Sequence, residues 1–248
     1  MNDNISQPVI LITGASGGIG AGVADSLFER GYTRIACQHR SSSDHLGRII
    51  QKYTLDPKQH LFQGDLTNEA YVEELEKKIN EQFGAVDVLI NLAGGSTNGL
   101  SWKLSLQEFH DVMAMNLTTT FLTCRQFIPR MREKGFGRII NTSSVVAFKG
   151  TTGAAHYSAA KAAVVGFTKS LSLELANKNI TANTLALGYF DVGIINHVPV
   201  EMQRKIQQDI PLKRFGTVKE IGRLVEYLLN DESAYITGQI FHINGGLY

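Results

Sequence analysis

The chain has 248 residues, of which 43% are hydrophobic and 19% are charged, and its formal net charge is +1. This composition excludes a disordered chain, and a near-zero charge without a basic block argues against a nucleic-acid partner. The sequence has no run of eighteen apolar residues to cross a membrane, and its polar first seven residues lack the pattern of a signal peptide. We therefore expect a cytoplasmic protein with no membrane partner.

Segments typical of strands and helices alternate through the first half of the chain. Val9–Thr13 predicts a strand, and Gly18–Arg30 predicts a helix that ends at Gly31. The same patterns predict strands over Arg34–His39, Leu61–Gly64 and Val86–Leu92, and helices over Ser43–Thr54 and from Thr67 to Phe83.

The second half of the chain continues this alternation. Leu106–Lys134 has the period of one long helix, which ends at Gly135. Strands are predicted over Arg138–Thr142, Ile180–Ala186 and Gln239–Ile243, and helices over His156–Asn177 and Val218–Leu229. The alternation predicts a single doubly wound Rossmann-type α/β domain over residues 1–248, with a parallel sheet of about seven strands flanked by helices. The irregular segment Leu187–Pro211 is long enough to be a substrate lid.

Glycine is concentrated near the N-terminus, where five of the 24 glycines fall between Gly14 and Gly22. The segment Thr-Gly-Ala-Ser-Gly-Gly-Ile-Gly, which starts at Thr13, lies between the first predicted strand and the first predicted helix. Glycine permits a positive φ and a close approach of the backbone to a pyrophosphate at a helix N-terminus. A tight structural turn would also collect glycine, but this position favours a dinucleotide site.

Tyr157 and Lys161 lie four residues apart on a predicted helix and therefore share one face. A tyrosine phenol has an ordinary pKa near 10, and a nearby ammonium favours the phenolate and lowers that pKa. The spacing suits general acid–base chemistry, although a surface Tyr–Lys pair is the alternative when the two residues are taken alone. The seven histidines lack ligand spacing, so no metal site is predicted.

Several segments, in a fixed order, resemble the short-chain dehydrogenase/reductase family. They are the Thr-Gly-x-x-x-Gly-x-Gly turn, Asp65-Leu66, Asn91-Leu92-Ala93-Gly94, Ser144 and Tyr157-x-x-x-Lys161. The C-terminal segments are similar to the 3-oxoacyl-[acyl-carrier-protein] reductase branch of that family, and they include Ile210-Pro211-Leu212, Arg214-Phe215-Gly216 and Asn244-Gly245-Gly246. The resemblance covers residues 8 to 247 and implies a nicotinamide-dependent oxidoreductase.

The resemblance implies four catalytic residues. Tyr157 would protonate a carbonyl oxygen as hydride arrives at the carbon, and Ser144, rather than Ser143, would donate a hydrogen bond to that oxygen. Lys161 would hold the nicotinamide ribose, and Asn116 would support a water that links Lys161 to solvent. For Asn116 alone, a bond to the preceding helical turn is the alternative. Substrate contacts are expected from Ser144, Tyr157, Tyr189 and Phe190.

The resemblance also implies the residues that would contact the dinucleotide. Asp65 would bond the adenine amino group, Leu66 would offer a backbone contact, and Asn91 would brace the central sheet and line the site. The whole expected set is Gly14, Ser16, Gly18, Ile19, Gly20, Arg40, Ser41, Asp65, Leu66, Asn91, Ala93, Gly94, Tyr157, Lys161 and Gly188.

The end of the second predicted strand indicates which dinucleotide is used. In Rossmann-type sites an acidic residue there binds the ribose of NAD, whereas an arginine accommodates the phosphate of NADP. Arg40 and Ser41 follow this strand, and the first acid is Asp44. NADP(H) is therefore preferred. NAD(H) stays open, because many NADP-preferring relatives carry a basic residue where Gly17 stands.

Expected partners are a small-molecule ketone or acyl thioester and further copies of the chain. The family commonly forms tetramers through its long helices and C-terminal strand, and the apolar segments Tyr157–Leu175 and Ile240–Tyr248 agree with a homotetramer. An acyl carrier protein is a further candidate partner. Of two basic positions that recognise it in the reductase branch, Lys178 aligns with one, and Gly135 occupies the other beside Lys134, Arg132 and Arg130.

Three hypotheses about function follow. The first is NADPH-dependent reduction of a ketone or 3-oxoacyl thioester to a secondary alcohol, in fatty acid or polyketide biosynthesis, with Tyr157 as general acid. The second is an NAD(P)-dependent secondary-alcohol dehydrogenase that works oxidatively. The third is a cofactor-binding regulator without turnover, which is suggested by Leu187 and Val192 in place of the family's usual proline and threonine.

Overall fold

Parallel β-strands alternate with helices along residues 7–248, which are the residues that a computed structural model of the protein describes. The prediction that no signal peptide is present concerns residues 1–7. Of these, only Gln7 belongs to the described residues. Seven strands occur in the described part, namely β1 (Ile10–Thr13), β2 (Ile35–His39), β3 (Leu61–Gln63), β4 (Val88–Asn91), β5 (Gly137–Ser144), β6 (Ile180–Leu187) and β7 (Ile240–Ile243).

The strands are hydrogen-bonded in the order β3-β2-β1-β4-β5-β6-β7, and every pair is parallel. The chain starts at the centre with β1, moves outward to β3 and then crosses back to β4 beside β1. The direction of winding therefore reverses between β1 and β4, and the turns after these strands leave a crevice at the carboxyl edge of the sheet. The predicted single doubly wound Rossmann-type domain is confirmed.

Helices cover both faces of the sheet. They are α1 (Gly18–Glu29), α2 (Asp44–Lys52), α3 (Pro57–His60), α4 (Glu69–Phe83), α5 (Leu106–Met113), α6 (Thr119–Lys134), α7 (Val146–Lys149), α8 (Ala155–Leu175), α9 (Val200–Asp209) and α10 (Val218–Leu229). One apolar core lies between the sheet and α1, α2 and α10, and a second lies between the sheet and α4, α6 and α8. In the described part of the chain, no helix is long and apolar enough to cross a membrane.

The predicted single helix Leu106–Lys134 is wrong in one respect, because a π-helical turn over Ala114–Thr118 separates α5 from α6. Asn116 lies in this turn, and its Nδ2 donates to the carbonyl oxygens of Val112 at 2.8 Å and of Gly95 at 2.7 Å. A side chain that inserts into the helical hydrogen-bond ladder favours such a bulge, and π-turns are frequent at functional sites.

The segment 187–211 is more regular than its sequence predicts. It contains a 3-10 helix over Gly193–His197 and the ten-residue helix α9. The apolar side chains of Val200 and Met202 in α9 are exposed. A surface helix of this kind lacks the buried stripe that gives a helix its hydrophobic period, which is why the pattern does not reveal it.

Candidate active site

The turn after β1 is packed so tightly that glycine is required in it. Gly14 has a φ of +64°, and a Cβ atom there would lie 2.7 Å from the Cα of Ala93 and 2.8 Å from its nitrogen. A Cβ atom at Gly20 would collide with the carbonyl oxygen of Gly14. The turn is therefore held against the end of β4, and its backbone lies open to the crevice at the N-terminus of α1, where an anion is favoured.

Gln38 joins the ends of three strands in this region. This side chain is buried near the end of β2. Its Oε1 accepts a hydrogen bond from the backbone nitrogen of Gly14 at 3.3 Å, and its Nε2 donates to the carbonyl oxygen of Gly64, after β3, at 2.9 Å. Sequence reasoning missed this residue, although a glutamine inside an otherwise apolar buried strand is a signal for such a role.

The adenosine end of the crevice carries exposed charges. Arg40 and Ser41 follow β2 and are exposed. Hydrogen bonds from Thr67, with a smaller contribution from the positive charge of Arg40, lower the pKa of Asp65 below its ordinary value. Leu66 is buried. A cavity of about 230 Å³ follows this edge, and it is lined by Gly14, Ser16, Gly17, Gln38, Arg40, Ser41, Gly64, Asp65, Leu66, Thr67, Leu92, Ala93, Gly94, Met115 and Thr119.

Asn91 lies at the end of β4, beneath the floor of the crevice. Its Nδ2 donates to Oδ1 of Asn141 on β5 at 2.8 Å, and its Oδ1 accepts from Thr123 of α6 at 2.9 Å. The hydroxyl of Thr13 accepts hydrogen bonds from the backbone nitrogens of Leu92 and Ala93, both at 3.2 Å. These bonds tie β1, β4, β5 and α6 together, so Asn91 braces the central sheet under the crevice.

Lys161 and Asn116 meet at the catalytic end of the crevice. Both side chains are buried. Nζ of Lys161 donates to the carbonyl oxygen of Thr142 on β5 at 2.9 Å. A Cβ atom at Gly94 would lie 2.6 Å from Oδ1 of Asn116 and 3.2 Å from Nζ of Lys161. The turn after β4 therefore runs directly beside both side chains, which brings two of the predicted catalytic residues to one point.

Two adjacent serines end β5, and their surroundings differ. Ser143 is buried, and its hydroxyl donates to the carbonyl oxygen of Lys161 at 2.7 Å. Ser144 is partly exposed, and its hydroxyl accepts a hydrogen bond from the backbone nitrogen of Val146 at 3.4 Å. The Ser144 hydroxyl also interacts with the phenol of Tyr157. Ser144 is thus the serine whose hydroxyl reaches Tyr157, whereas the proton of Ser143 is used in a bond to the backbone of Lys161.

The pKa values of Tyr157 and Lys161 are shifted in opposite directions. Burial raises the pKa of the Tyr157 phenol, and its hydrogen bond with Ser144 opposes that rise. Burial lowers the pKa of the Lys161 ammonium to about 8. The expected lowering of the Tyr157 pKa by Lys161 is therefore wrong for this arrangement. The Nζ atom lies 5.8 Å from the centre of the tyrosine ring and is held by Thr142 instead.

Tyr189 and Phe190, which follow β6 and are expected to contact substrate, have different surroundings. Tyr189 is partly buried, and its carbonyl oxygen accepts a hydrogen bond from the nitrogen of Gly216 at 3.0 Å. Phe190 differs from the expectation, because it is buried in the core. A Cβ atom at Gly216 would lie 2.6 Å from its ring, so this ring packs under the chain rather than facing the crevice.

Val192 and Gly193 then cross above the glycine turn. A Cβ atom at Gly18 would lie 2.7 Å from the nitrogen of Gly193 and 2.9 Å from the Cβ of Val192. The start of the segment 187–211 is therefore in contact with the N-terminus of α1, at the point where a pyrophosphate would approach.

Known proteins are similar in sequence to this chain over almost their whole length. A family model described as enoyl-(acyl carrier protein) reductase matches residues 14–248. The 3-oxoacyl-[acyl-carrier-protein] reductase FabG of Vibrio cholerae is 37% identical over an alignment of 250 positions, which covers 99% of each chain. Nodulation protein G of Azospirillum brasilense is 36% identical over 98% of this chain and 99% of its own. The FabG protein of Aquifex aeolicus is 34% identical over 100% of both chains.

The glycine turn, the crevice at the strand reversal and the group formed by Asn116, Ser144, Tyr157 and Lys161 agree with these similarities. The chain belongs to the short-chain dehydrogenase/reductase family. It is an oxidoreductase that acts on the C=O or CH–OH group of its substrate.

Proposed function

We propose that the protein uses NADPH to reduce the keto group of a 3-oxoacyl thioester to a secondary alcohol, with Tyr157 as the general acid. The observation that carries this proposal is the pair of hydroxyl groups of Ser144 and Tyr157, which interact with each other beside the buried ammonium of Lys161. The printed names of the relatives support the substrate class, because several are 3-oxoacyl-[acyl-carrier-protein] reductases.

The donor pair suits reduction at neutral pH. When bound, the nicotinamide cofactor supplies the hydride. As negative charge develops on the keto oxygen, Ser144 donates a hydrogen bond to it and Tyr157 transfers its phenolic proton to it. Because burial raises the pKa of Tyr157, the phenol keeps this proton until the oxygen becomes basic. Lys161, with a pKa of about 8, also carries a proton at neutral pH and holds a positive charge beside the ring.

The crevice fits a dinucleotide. The glycine turn leaves backbone groups open at the N-terminus of α1, and side chains at Gly14 or Gly20 would fill the space that the turn needs. The preference for NADPH is supported by the exposed Arg40, whose guanidinium can form a forked pair with a phosphate. Asp65 lies near enough for the positive charge of Arg40 to act on it.

The substrate class is tested with the purified full chain and NADPH. The substrates are 3-oxoacyl thioesters, free ketones and enoyl thioesters of matched chain length, the last because of the description of the matching family model. We expect the highest kcat/KM for the 3-oxoacyl thioesters. Oxidation of secondary alcohols with NADP⁺ is assayed in parallel at the same pH. A larger kcat/KM for enoyl thioesters or for alcohol oxidation would refute the proposal, and so would the lack of turnover with every compound.

We also propose that a second copy of the chain covers the groove between α6 and α8. Phe121, Ile128, Phe167 and Leu171 give this groove an apolar floor, and its volume is about 680 Å³. Arg125, Arg132 and Lys178 stand on its rim with Glu133 and Glu174. A surface with both signs of charge can pair with its own copy across a twofold axis, which would form one of the two interfaces that the proposed homotetramer needs. Light scattering at micromolar concentration should give a multiple of 27.3 kDa, and the monomer mass would contradict this.

An acyl carrier protein is proposed as the natural carrier of the thioester. Lys178 and Arg132 lie on the same rim, whereas Arg130 pairs with Glu76 and Lys134 pairs with Asp87. Acidic carrier surfaces would therefore meet Lys178 and Arg132 first, at the outer edge of the groove and beside the second copy. The Lys178→Ala variant should lose kcat/KM for a carrier-bound thioester but not for the same acyl group on coenzyme A. An equal effect on both substrates would contradict carrier recognition by Lys178.

We propose finally that residues 187–211 form the lid of the site. Val192 and Gly193 already touch the glycine turn, and Val200 and Met202 on α9 offer exposed apolar side chains that could cover an acyl chain.

A further inference from the structure

We propose that Asn244 is a positioning residue that anchors both ends of the lid through one C-terminal turn, residues 244–248. The inference rests on the proposed role of residues 187–211 as the lid. It extends that role, because it names the part of the molecule that sets how readily the lid closes over substrate.

The C-terminal turn is built around the Asn244 side chain. Asn244 directly follows β7 and is 8% exposed. Its Oδ1 accepts hydrogen bonds from the backbone nitrogens of Gly246 at 3.0 Å and Leu247 at 3.1 Å. Its Nδ2 donates to the carbonyl oxygen of Tyr248 at 3.4 Å. One side chain therefore bonds to three of the four residues that follow it and folds the chain back on itself.

The first end of the lid rests on this turn. The nitrogen of Gly188 donates to the carbonyl oxygen of Ile243 at 2.9 Å. A Cβ atom at Gly188 would lie 2.7 Å from the Cα and 2.8 Å from the Cβ of Asn244. Leu187, the residue before it, is paired in the sheet with Ser144. Asn244 thus lies beside the point where the lid leaves the sheet, next to the strand end that carries the catalytic serine.

The second end of the lid rests on the same turn. The nitrogen of Leu212 donates to the carbonyl oxygen of Gly245 at 3.1 Å. A Cβ atom at Gly245 would lie 2.7 Å from Cγ2 of Ile210, and one at Gly246 would lie 3.1 Å from Cβ of Pro211. Both glycines have a positive φ, +66° and +89°, so the backbone shape that receives the lid is one that other residues rarely adopt.

A cluster of three rings attaches the turn to the catalytic side. The ring centre of Tyr248 lies 5.1 Å from that of Phe148 and 5.2 Å from that of His242 on β7. Phe148 belongs to α7, which begins two residues after Ser144. The turn therefore contacts both lid ends and helix α7, which follows Ser144, but residues 244–248 do not line the crevice itself.

This arrangement predicts an effect on binding rather than on chemistry. If the lid closes less readily, a smaller fraction of the molecules is competent to bind, and the apparent affinity for substrate falls in proportion to that fraction. The rate of the chemical step in the closed state does not change. Loss of the Asn244 oxygen removes two hydrogen bonds that hold the turn. We therefore expect KM to rise and kcat to stay nearly constant.

The test compares Asn244→Ala, Asn244→Asp and Tyr248→Ala in the full chain. The matched control is Tyr235→Ala, which removes a fully exposed ring elsewhere. The first readout is the rate at which trypsin cuts after Arg204 and Lys205 in α9, measured by mass spectrometry, which needs no turnover. The second is KM and kcat for the best thioester found in the substrate screen. Asn244→Asp keeps the acceptor oxygen and serves as the conservative rescue.

For Asn244→Ala we expect cleavage within α9 to accelerate about five- to tenfold and KM to rise by a similar factor, with kcat within about twofold of wild type. The cleavage rate and KM of Asn244→Asp should lie closer to the wild-type values. Trypsin should cleave Tyr248→Ala faster than Tyr235→Ala. Unchanged cleavage in a folded Asn244→Ala protein would overturn the proposal. If Asn244→Ala does not fold, equal cleavage of Tyr248→Ala and Tyr235→Ala would overturn it. Failure of the proposed reaction leaves the trypsin comparison intact, so the two failures are distinguishable.

Discussion

At the catalytic end of the crevice, Asn116 and Lys161 are buried and bonded to the backbone of the fold, whereas at the adenosine end Arg40 and Ser41 stand exposed after β2. The buried pair is fixed by β4, β5 and the π-turn before any ligand arrives. The exposed pair is bonded through its backbone oxygens to His39 and Gln63, while its side chains lie at the surface. The proposed catalytic groups are thus held within the fold, and the groups proposed to select the cofactor lie at the surface.

This difference has an energetic consequence. Groups that are already in position need little reorganisation free energy when the transition state forms. Removal of such a group therefore lowers the reaction rate strongly. A surface arginine gains binding free energy only when its phosphate is present, and solvent screens part of that gain. Changes at the catalytic end should therefore be larger than changes at the adenosine end, and the following predictions test that order.

The largest effect is expected for Tyr157→Phe, which removes only the phenolic proton donor. General acid catalysis accounts for about 10²- to 10⁴-fold in rate, and kcat/KM for the thioester should fall by about that factor. Thermal unfolding should change little, since the ring stays. The Tyr235→Phe variant alters an exposed tyrosine and should keep full activity. Retention of more than a tenth of wild-type kcat/KM in Tyr157→Phe would show that another group supplies the proton.

The two serines at the end of β5 should separate function from stability. Ser144→Ala removes a donor to the developing oxyanion, and kcat/KM should fall about 10²-fold with unchanged unfolding. Ser143→Ala removes the bond to the Lys161 carbonyl and should lower the free energy of unfolding by about 1 kcal/mol. Kinetics and urea unfolding of both variants check this. Equal loss of kcat/KM in both would remove the distinction between Ser143 and Ser144.

A smaller effect is expected at the adenosine end. Arg40→Ala should raise KM for NADPH about tenfold, because it loses a charge-assisted pair to the phosphate in an exposed position. KM for NADH should change by less than about twofold, since that cofactor has no such phosphate. Arg48→Ala, a nearby exposed arginine on α2, is the matched control. A parallel rise of both KM values would mean that Arg40 supports the turn rather than the phosphate.

The smallest effect concerns stability and depends on pH. Lys161 has a pKa of about 8 in the folded protein and an ordinary value of 10.5 when unfolded. Between these values the unfolded chain binds more protons, so this group makes stability rise with pH there, and its burial as a cation costs stability below pH 8. Lys161→Met should therefore raise the free energy of unfolding by about 1 kcal/mol at pH 7. This net gain includes the loss of the hydrogen bond to Thr142, which offsets part of the benefit of removing the buried charge.

Urea unfolding at pH 7 and pH 10 measures this gain, which should shrink at the higher pH because the lysine is then mostly neutral in the folded protein. Lys169→Met, an exposed lysine on the same helix, should show the same small difference at both values. An equal gain for Lys161→Met at both pH values would contradict the linkage of its burial to its proton.

The sequence predicts most of the fold because its strongest signals are local. The strands β1 and β4 are short apolar runs buried along their whole length, and Gly14 marks the turn after β1 by its own backbone requirement. Tyr157 and Lys161 also need only helical spacing to share a face. Such features depend on neighbours in the sequence, and the structure adds only the tertiary contacts around them.

What the sequence does not predict depends on distant partners. Asn116 lies in a π-helical turn and donates a hydrogen bond to the distant Gly95, and the role of Gln38 exists only because β1 and β3 flank β2. Phe190 turns inward because the chain at Gly216 passes over it. In each case the residue type was visible, but the contact that decides its role is formed by tertiary packing.

The central claim is that the adenosine end holds NADPH so that hydride reaches the carbon whose oxygen faces Ser144 and Tyr157. It is tested most directly with NADPH that carries deuterium in place of both hydrogens at nicotinamide C4 and a saturating 3-oxoacyl thioester, with the product analysed by mass spectrometry. We predict a 3-hydroxyacyl thioester with one deuterium at carbon 3. An unlabelled product, or label found only when an enoyl thioester is supplied, would contradict the claim.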